Sequence, residues 1–255
     1  FSGGLHGVGI SVVNALSTRV RVQIKRDRKI HEIEFKDGKK ANKLNVTGDC
    51  EKKEHGTTVH FWPDAQYFDS VKFSLPALLA NLRAKAVLCP GLTVTFFDEK
   101  NNDRRQWCYT DGLKDYLTEQ LKDSVNLPEA PLIGHFAAET EQADWAFSWT
   151  PEEKTRVHES YVNLIPTAQG GTHVNGMRSG LLEGLRDFCE IHKLLPRGVK
   201  LAAEDLWDQC NYVLSVKIQD PQFAGPTKER LKLRRCAAFV SGIVKMTLAY
   251  GYITR

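Results

Sequence analysis

Apolar residues recur every second position in some stretches of the chain and every third or fourth in others, and that contrast sorts it into strands and helices. Val20, Val22 and Ile24 interleave with Arg19, Arg21, Gln23 and Lys25, the pattern of a strand with one wet face. His31, Ile33 and Phe35 repeat it before an Asp37-Gly38 turn, and strands over 44–46 and 58–62 extend an antiparallel meander closed by Pro63-Asp64. Leu75, Leu78, Leu79, Leu82 and Ala86 then fall at helical spacing, with Ser74 as N-cap and Pro76 in the first turn, until Pro90-Gly91 stops the helix. A strand over 92–97, an Asn101-Asn102 turn and a short amphipathic helix marked by Leu113, Tyr116, Leu117 and Leu121 follow.

Pro128 and Pro131 predict an extended connector over 126–131, and a domain boundary is placed near residue 122, dividing 1–122 from 123–255. Beyond it come a strand over 132–137 and an aromatic stripe of Trp145, Phe147 and Trp149. Its small opposite-face neighbours suit a sheet packed on helices, with base stacking as the alternative. A strand over 161–165 leads through Gln169-Gly170-Gly171-Thr172-His173 into a long helix. Val174, Met177, Leu181, Leu185 and Phe188 are its buried stripe, and Arg178 lies off it. Residues 194–200 read as loop, 213–218 as strand, and 220–226 as a loop handing over to a terminal helix from Thr227. The succession predicts an α+β sandwich with helices on one face of a largely antiparallel sheet.

Composition changes this picture little. The 255 residues suit one large or two ordinary domains, and a net charge of +4 permits a nucleic-acid partner without requiring one. No apolar run approaches the roughly 18 residues of a membrane helix. The six cysteines show no C-x-x-C pair and no zinc-finger spacing, so they read as buried apolar residues in a reducing, cytoplasmic setting, and no metal site is expected within the chain. The absence of an initiator Met and an opening inside a glycine-rich loop read as a piece of a longer protein.

That loop carries the candidate chemistry. In Phe1-Ser2-Gly3-Gly4-Leu5-His6-Gly7-Val8-Gly9-Ile10 four glycines run into an apolar helix ending near Leu16. Glycine permits positive φ and close approach to main-chain N–H groups, and a helix N-terminus adds unpaired donors and partial positive charge, so the string reads as a phosphate cradle. It lacks the Gly-Lys-Ser/Thr of a Walker loop, and its glycines run opposite to a dinucleotide fingerprint. Spacing alone suits equally a turn that caps a buried helix. A cradle without a Walker lysine needs a cation from elsewhere, and Lys228 is the candidate. With Arg230, Lys232, Arg234 and Arg235 it reads otherwise as a solvated helix face.

GGLHGVGISVVNALS resembles, nearly letter for letter, the glycine box of the type II topoisomerase ATPases, the B subunits of DNA gyrase and topoisomerase IV. The segment 217–228 resembles the stretch ending in that family's Gln-Thr-Lys triplet, and HGTTVHFWPD, AKAVLCPG, VNLIPTAQGGTHVNG and LPRGVK lie between, so the likeness covers nearly the whole chain. It looks closer to topoisomerase IV than to gyrase.

The resemblance implies a GHKL-type ATPase α/β sandwich, represented by its C-terminal part, followed by a ribosomal-protein-like α+β transducer domain. It implies ATP and Mg²⁺ as cofactors, a homodimer of B subunits that closes around double-stranded DNA on ATP binding, and the topoisomerase IV A subunit as partner. Gly4, Leu5, His6, Gly7, Val8, Gly9 and Ile10 would wrap the phosphates, Thr57 would border the adenine pocket, and Lys228 would meet the γ-phosphate. Arg26 matches a position at the pocket mouth that aminocoumarin inhibitors contact, and Arg178 one that lines the cavity for DNA. The sequence departs from the family at Pro226, where the triplet has Gln, and beyond about Lys245. The family's catalytic Glu, Mg²⁺-binding Asn and adenine-recognising Asp lie N-terminal to the glycine box, so hydrolysis is incomplete here. Two other readings remain: another ATPase of this fold, of gyrase, chaperone or mismatch-repair type, and a non-enzymatic DNA-binding module using the basic stretch.

Overall fold

The alternation over residues 19–25 is realised as a long strand in the middle of a sheet. The computed structural model describes residues 7–152, 157–225 and 227–251, with 250 and 251 described for their backbone only. Packing divides it into two units, one through Leu78 and one from Leu79 onward.

In the first unit, helix α1 (Gly9–Ala15) precedes β1 (Ser17–Arg26), β2 (Lys29–Lys36), β3 (Lys39–Lys40), β4 (Asn45–Asp49) and β5 (Gly56–Pro63). The strands pair antiparallel as expected, in the order β3-β2-β1-β5 with β4 also on β2, but they do not form the expected meander: β5 does not follow β4 and instead crosses to the free edge of β1, where Val59 and Phe61 meet Val22 and Val20. Register puts Val20 between Phe35 and Phe61, and Val22 between Ile33 and Val59, so the apolar sets share one face. The other face carries ion pairs, including Arg21 to Glu32 at 2.9 Å and Arg19 to Glu34. The β1–β2 hairpin turns on Asp27 and Arg28, both left-handed at φ 52 and 63, which is the twist a two-residue connection needs. One 3₁₀ turn (Ala65–Tyr67), N-capped by Asp64, follows.

Helix α2 (Leu75–Leu88) leads to the hairpin β6 (Val94–Asp98) and β7 (Asp103–Trp107), then to α3 (Leu113–Gln120). The second sheet comprises β8 (Leu127–Ala137), β9 (Glu141–Trp149), β10 (His158–Val162), β11 (Ile165–Pro166) and β12 (Cys210–Ile218), in the order β11-β10-β12-β9-β8. The connector expected over 126–131 is instead the start of edge strand β8. Proline is tolerated there because an edge residue need not donate to a ladder. The strand expected over 161–165 is split by a turn at Asn163 and Leu164, both at positive φ.

Helices α4 (Thr172–Ile191), α5 (Ala203–Trp207) and α6 (Arg234–Gly251) complete the unit. Trp145, Phe147, Leu214 and Val216 on one sheet face form a core with Met177 and Leu181 of α4 and Val240 and Val244 of α6. The aromatic stripe is therefore core: Trp145 and Phe147 are each 1% exposed. On the opposite face Ala146, Tyr161 and Val213 pack with Ala86, Val87, Leu117 and Leu121. That second core explains why the packing division falls at Leu78: the later part of α2 and all of α3 share their burial with the second sheet. The terminal helix starts at Arg234, not at Thr227. The intervening segment is extended and bridged to Gly171 and Phe223 through Leu231, which satisfies its backbone outside a helix.

Candidate functional site

Gly4, Leu5 and His6 lie outside the described residues. Gly7 takes φ 63 and turns the chain into α1, with nothing among the described residues within 4 Å of the position a Cβ would occupy. Val8 is the N-cap residue without a side-chain cap, its carbonyl accepts from Val12 N at 3.0 Å, and no acidic side chain sits in the first turn. The first-turn N–H groups of Gly9, Ile10 and Ser11 thus lie where a helix leaves its donors without intrahelical acceptors, with no acidic side chain in the same turn, a donor set that suits an anion. Among the described residues α1 has no buried side chain, which fits a cradle more readily than a turn capping a buried helix. Val8 and Ile10 are more than half exposed.

Thr57 stands on β5 opposite Ile24 and, by alternation, on the same face as Val59 and Phe61. Phe61 lines a cavity of about 320 Å³ with Val12, Val13 and Leu16 of α1, so Thr57 shares the sheet face that α1 covers. Arg26 ends β1 at the hairpin, where its guanidinium is highly exposed and only loosely paired with Asp27 at 3.4 Å. It is free to meet a ligand.

In the second unit Lys228 occupies a loop between β12 and α6, with a left-handed φ of 58 and a half-buried side chain. No carboxylate lies within ion-pair reach of it among the described residues. Arg230, Lys232, Arg234 and Arg235 are exposed, so the solvated reading fits those four and not Lys228. Pro226 lies outside the described residues. Arg178 projects from α4 onto α5, donating to Glu204 at 3.1 Å and lying 5.8 Å above the Trp207 ring. Periodicity does not reveal this partner, because the stretch before β12 carries too short a pattern to mark a helix. The available signal is the acidic pair Glu204-Asp205, whose Asp205 carboxylate accepts from Ala202 N at 2.7 Å and starts the helix.

His173, in the first turn of α4, is fully buried, with Nε2 3.0 Å from Thr167 Oγ1 and no partner for Nδ1 among the described residues. Burial pushes its imidazole from the ordinary 6.5 down to about 4. An unfolded chain therefore binds more protons than the folded one between those values, so stability is full above pH 6.5 and lost as pH falls toward 4. The loss is at most about 3 kcal/mol for this group. Urea melts should show a shallower decline over that window in His173→Gln than in the parent, and parallel declines would refute the assignment.

A family model for DNA gyrase B matches residues 112–251, more than half of the chain. The chain belongs to the DNA gyrase B family. Among its relatives, the B subunit of DNA topoisomerase 4 from Salmonella typhimurium is 62% identical over 96% of this chain, and that from Pseudomonas aeruginosa 58% identical over the same share. The chain spans 39% of the length of each. The structure superimposes on the topoisomerase IV ATP-binding domain of Francisella tularensis, solved with a small-molecule inhibitor, with a TM-score of 0.79 at 40% identity, covering 100% of this chain and 70% of that one. It matches the 43K ATPase domain of Thermus thermophilus gyrase B, in complex with an aminocoumarin, at a TM-score of 0.84 and 28% identity over 97% of this chain and 67% of that one. The fold is thus the α+β fold of the GHKL-type gyrase B ATPases. No helix of the described residues is long and apolar enough to cross a membrane.

Proposed function

We propose that the chain is part of the ATP-driven clamp of a type II DNA topoisomerase, the B subunit of topoisomerase IV. Residues 1–122 form the C-terminal part of its ATPase domain and 123–255 its transducer domain. The observation that carries this is the turn at Gly7 into an uncapped, carboxylate-free helix start, in a chain 62% identical to a topoisomerase 4 B subunit. The identity to topoisomerase 4 subunits also favours this reading over gyrase itself.

In this reading residues 4–10 hold the ATP phosphates through main-chain N–H groups, Thr57 borders the adenine, and Arg26 stands at the pocket mouth. Lys228 answers the γ-phosphate charge, and Arg178 faces the DNA cavity, its charge partly balanced by Glu204. ATP supplies the terminal phosphate that the clamp senses. Mg²⁺ and the general base would be held by residues outside the chain. Two B subunits would close around a DNA duplex that passes through a break made by the A subunits, in the cytoplasm.

The test separates backbone approach from folding. Gly9 is not at positive φ and an added Cβ meets nothing within 4 Å among the described residues, so Gly9→Ala should leave the melting temperature unchanged. If phosphate approaches that backbone, the methyl crowds it and ATP affinity of the full-length subunit falls about tenfold, ~1.4 kcal/mol. Gly7→Ala should lose affinity and also about 1 kcal/mol of stability, because its left-handed φ disfavours a Cβ. Calorimetry showing parent-like ATP binding by a folded Gly9→Ala subunit would overturn the cradle.

A further inference from the structure

Lys228 stands immediately before a stretch that is pinned on two sides. Gln169 N donates to Glu229 O at 2.9 Å, Leu231 N to Gly170 O at 3.1 Å, and Thr172 N to Leu231 O at 3.0 Å. Two side chains of the same turn add to this ladder: Gln169 Nε2 donates to Glu229 Oε2 at 2.7 Å and Thr172 Oγ1 to Leu233 O at 2.8 Å. From the other side, Ala224 N donates to Arg230 O and Lys232 N to Gln222 O, both at 2.8 Å. Only the residues around Lys228 are left outside this double ladder.

The turn at 169–172 is itself built to be rigid. Gly171 has φ 138, and a Cβ there would lie 2.5 Å from Leu231 N and 2.9 Å from its Cα, so no other residue permits the contact. Leu231 is 1% exposed, locking the pinned stretch into the core. Beneath the turn, buried Ser160 Oγ and Thr167 Oγ1 lie 2.7 Å apart, and Thr167 Oγ1 meets buried His173 Nε2 at 3.0 Å. These buried hydrogen bonds tie the start of α4 to the strand and turn before it.

We infer that the turn 169–172 is a positioning element for Lys228, with the Thr172 hydroxyl and the Gln169 amide fixing the loop from which the lysine reaches the nucleotide. This rests on the reading of Lys228 as the γ-phosphate contact. An ionic contact to a reacting phosphate loses its effect when its origin wanders by an ångström, so loosening the anchor lowers turnover more than nucleotide binding. The turn acts through Lys228 and has no chemistry of its own.

The test uses the full-length B subunit with its A subunit, and Thr172→Val, Thr172→Ser, Gln169→Ala and Lys228→Ala in steady-state ATPase assays beside ADP titrations. Thr172→Val should lower kcat about tenfold while KM for ATP and Kd for ADP stay within about twofold, and Thr172→Ser, which keeps the hydroxyl, should restore the parent rate. Gln169→Ala, at an exposed side chain that folding does not need, should lower kcat about threefold with the same pattern. A folded Thr172→Val and Gln169→Ala pair with parent kcat, next to a Lys228→Ala that has lost activity, would overturn the positioning role alone. A Lys228→Ala with parent kcat would overturn the Lys228 reading and this inference with it. A rise in ADP Kd that tracks the loss of kcat, unrescued by Thr172→Ser, would mark general loosening and also overturn it.

Discussion

Gly180→Ala should lower the melting temperature by about 5 °C, although alanine is the better helix former. Gly176, Gly180 and Gly184 recur every four residues along α4 and present backbone, not side chain, to α6. A Cβ at Gly180 would stand 2.5 Å from Ser241 O and 3.0 Å from Ser241 Cα; at Gly176 it would meet Ala237 O, and at Gly184 Leu248 Cδ1 at 2.8 Å. Backbone cannot swing aside as a side chain can. The helices must separate, which loosens the core shared by Met177, Leu181, Val240 and Val244. Overpacking of this sort costs about 1–3 kcal/mol, and the gain from removing a helical glycine returns at most about 1 kcal/mol. A net loss of 1–2 kcal/mol lowers the melting temperature of a unit this size by about 2–4 °C per kcal/mol. Gly242 on α6 is the internal control, since a Cβ there meets nothing within 4 Å. Gly242→Ala should raise the midpoint by a few degrees. Circular-dichroism melts of both variants decide it: a Gly180→Ala protein melting at or above the parent would mean that α4 and α6 are not held at backbone contact.

The glycine stripe shows where sequence reading stops. Period-two alternation locates β1, β2 and β5 because one face of their sheet is apolar and the other carries Arg19, Arg21 and Glu32, so side-chain chemistry reports the pleat. Helical spacing locates α4 by Met177, Leu181 and Leu185, yet the face that sets its distance to α6 is written in residues without side chains, to which hydrophobic pattern is blind. The hairpin at Asp27-Arg28 is hidden for a related reason: its left-handed turn uses neither Asn nor Gly. The terminal helix reads as starting early because the run of cations from Lys228 to Arg235 imitates a solvated helix face. Leu231 and Leu233 in that run serve instead to anchor an extended segment through Gly171 and Thr172, a long-range pairing that no local pattern contains. The glycine box, by contrast, is legible as text through its resemblance to the family's box, and of its glycines the described residues include Gly7, at φ 63, and Gly9. The setting of Arg178 is not, since Glu204 and Trp207 reach it from an element of five residues.

The largest functional effect is expected at Lys228. In the full-length subunit Lys228→Ala should reduce ATP turnover at least a hundredfold, about 2.7 kcal/mol, within the range of a charge-assisted hydrogen bond to phosphate together with its long-range attraction. That loss should not come from unfolding. With no carboxylate partner among the described residues, removal of the ammonium leaves no orphaned charge behind. The left-handed φ of 58 sharpens the point, because a residue with a Cβ is strained there. Lys228→Gly deletes the same charge while relieving that strain, so it should melt slightly higher than the parent, by up to about 1 kcal/mol of stability, and still turn over ATP as poorly as Lys228→Ala. Stability and activity then move in opposite directions at one residue, which a structural role cannot produce. Lys228→Arg keeps the charge but carries it on a longer, planar group, and should retain part of the rate. Paired measurements of melting temperature and ATPase rate for the three variants are sufficient. A Lys228→Gly subunit that hydrolyses ATP at the parent rate would remove this lysine from the nucleotide site.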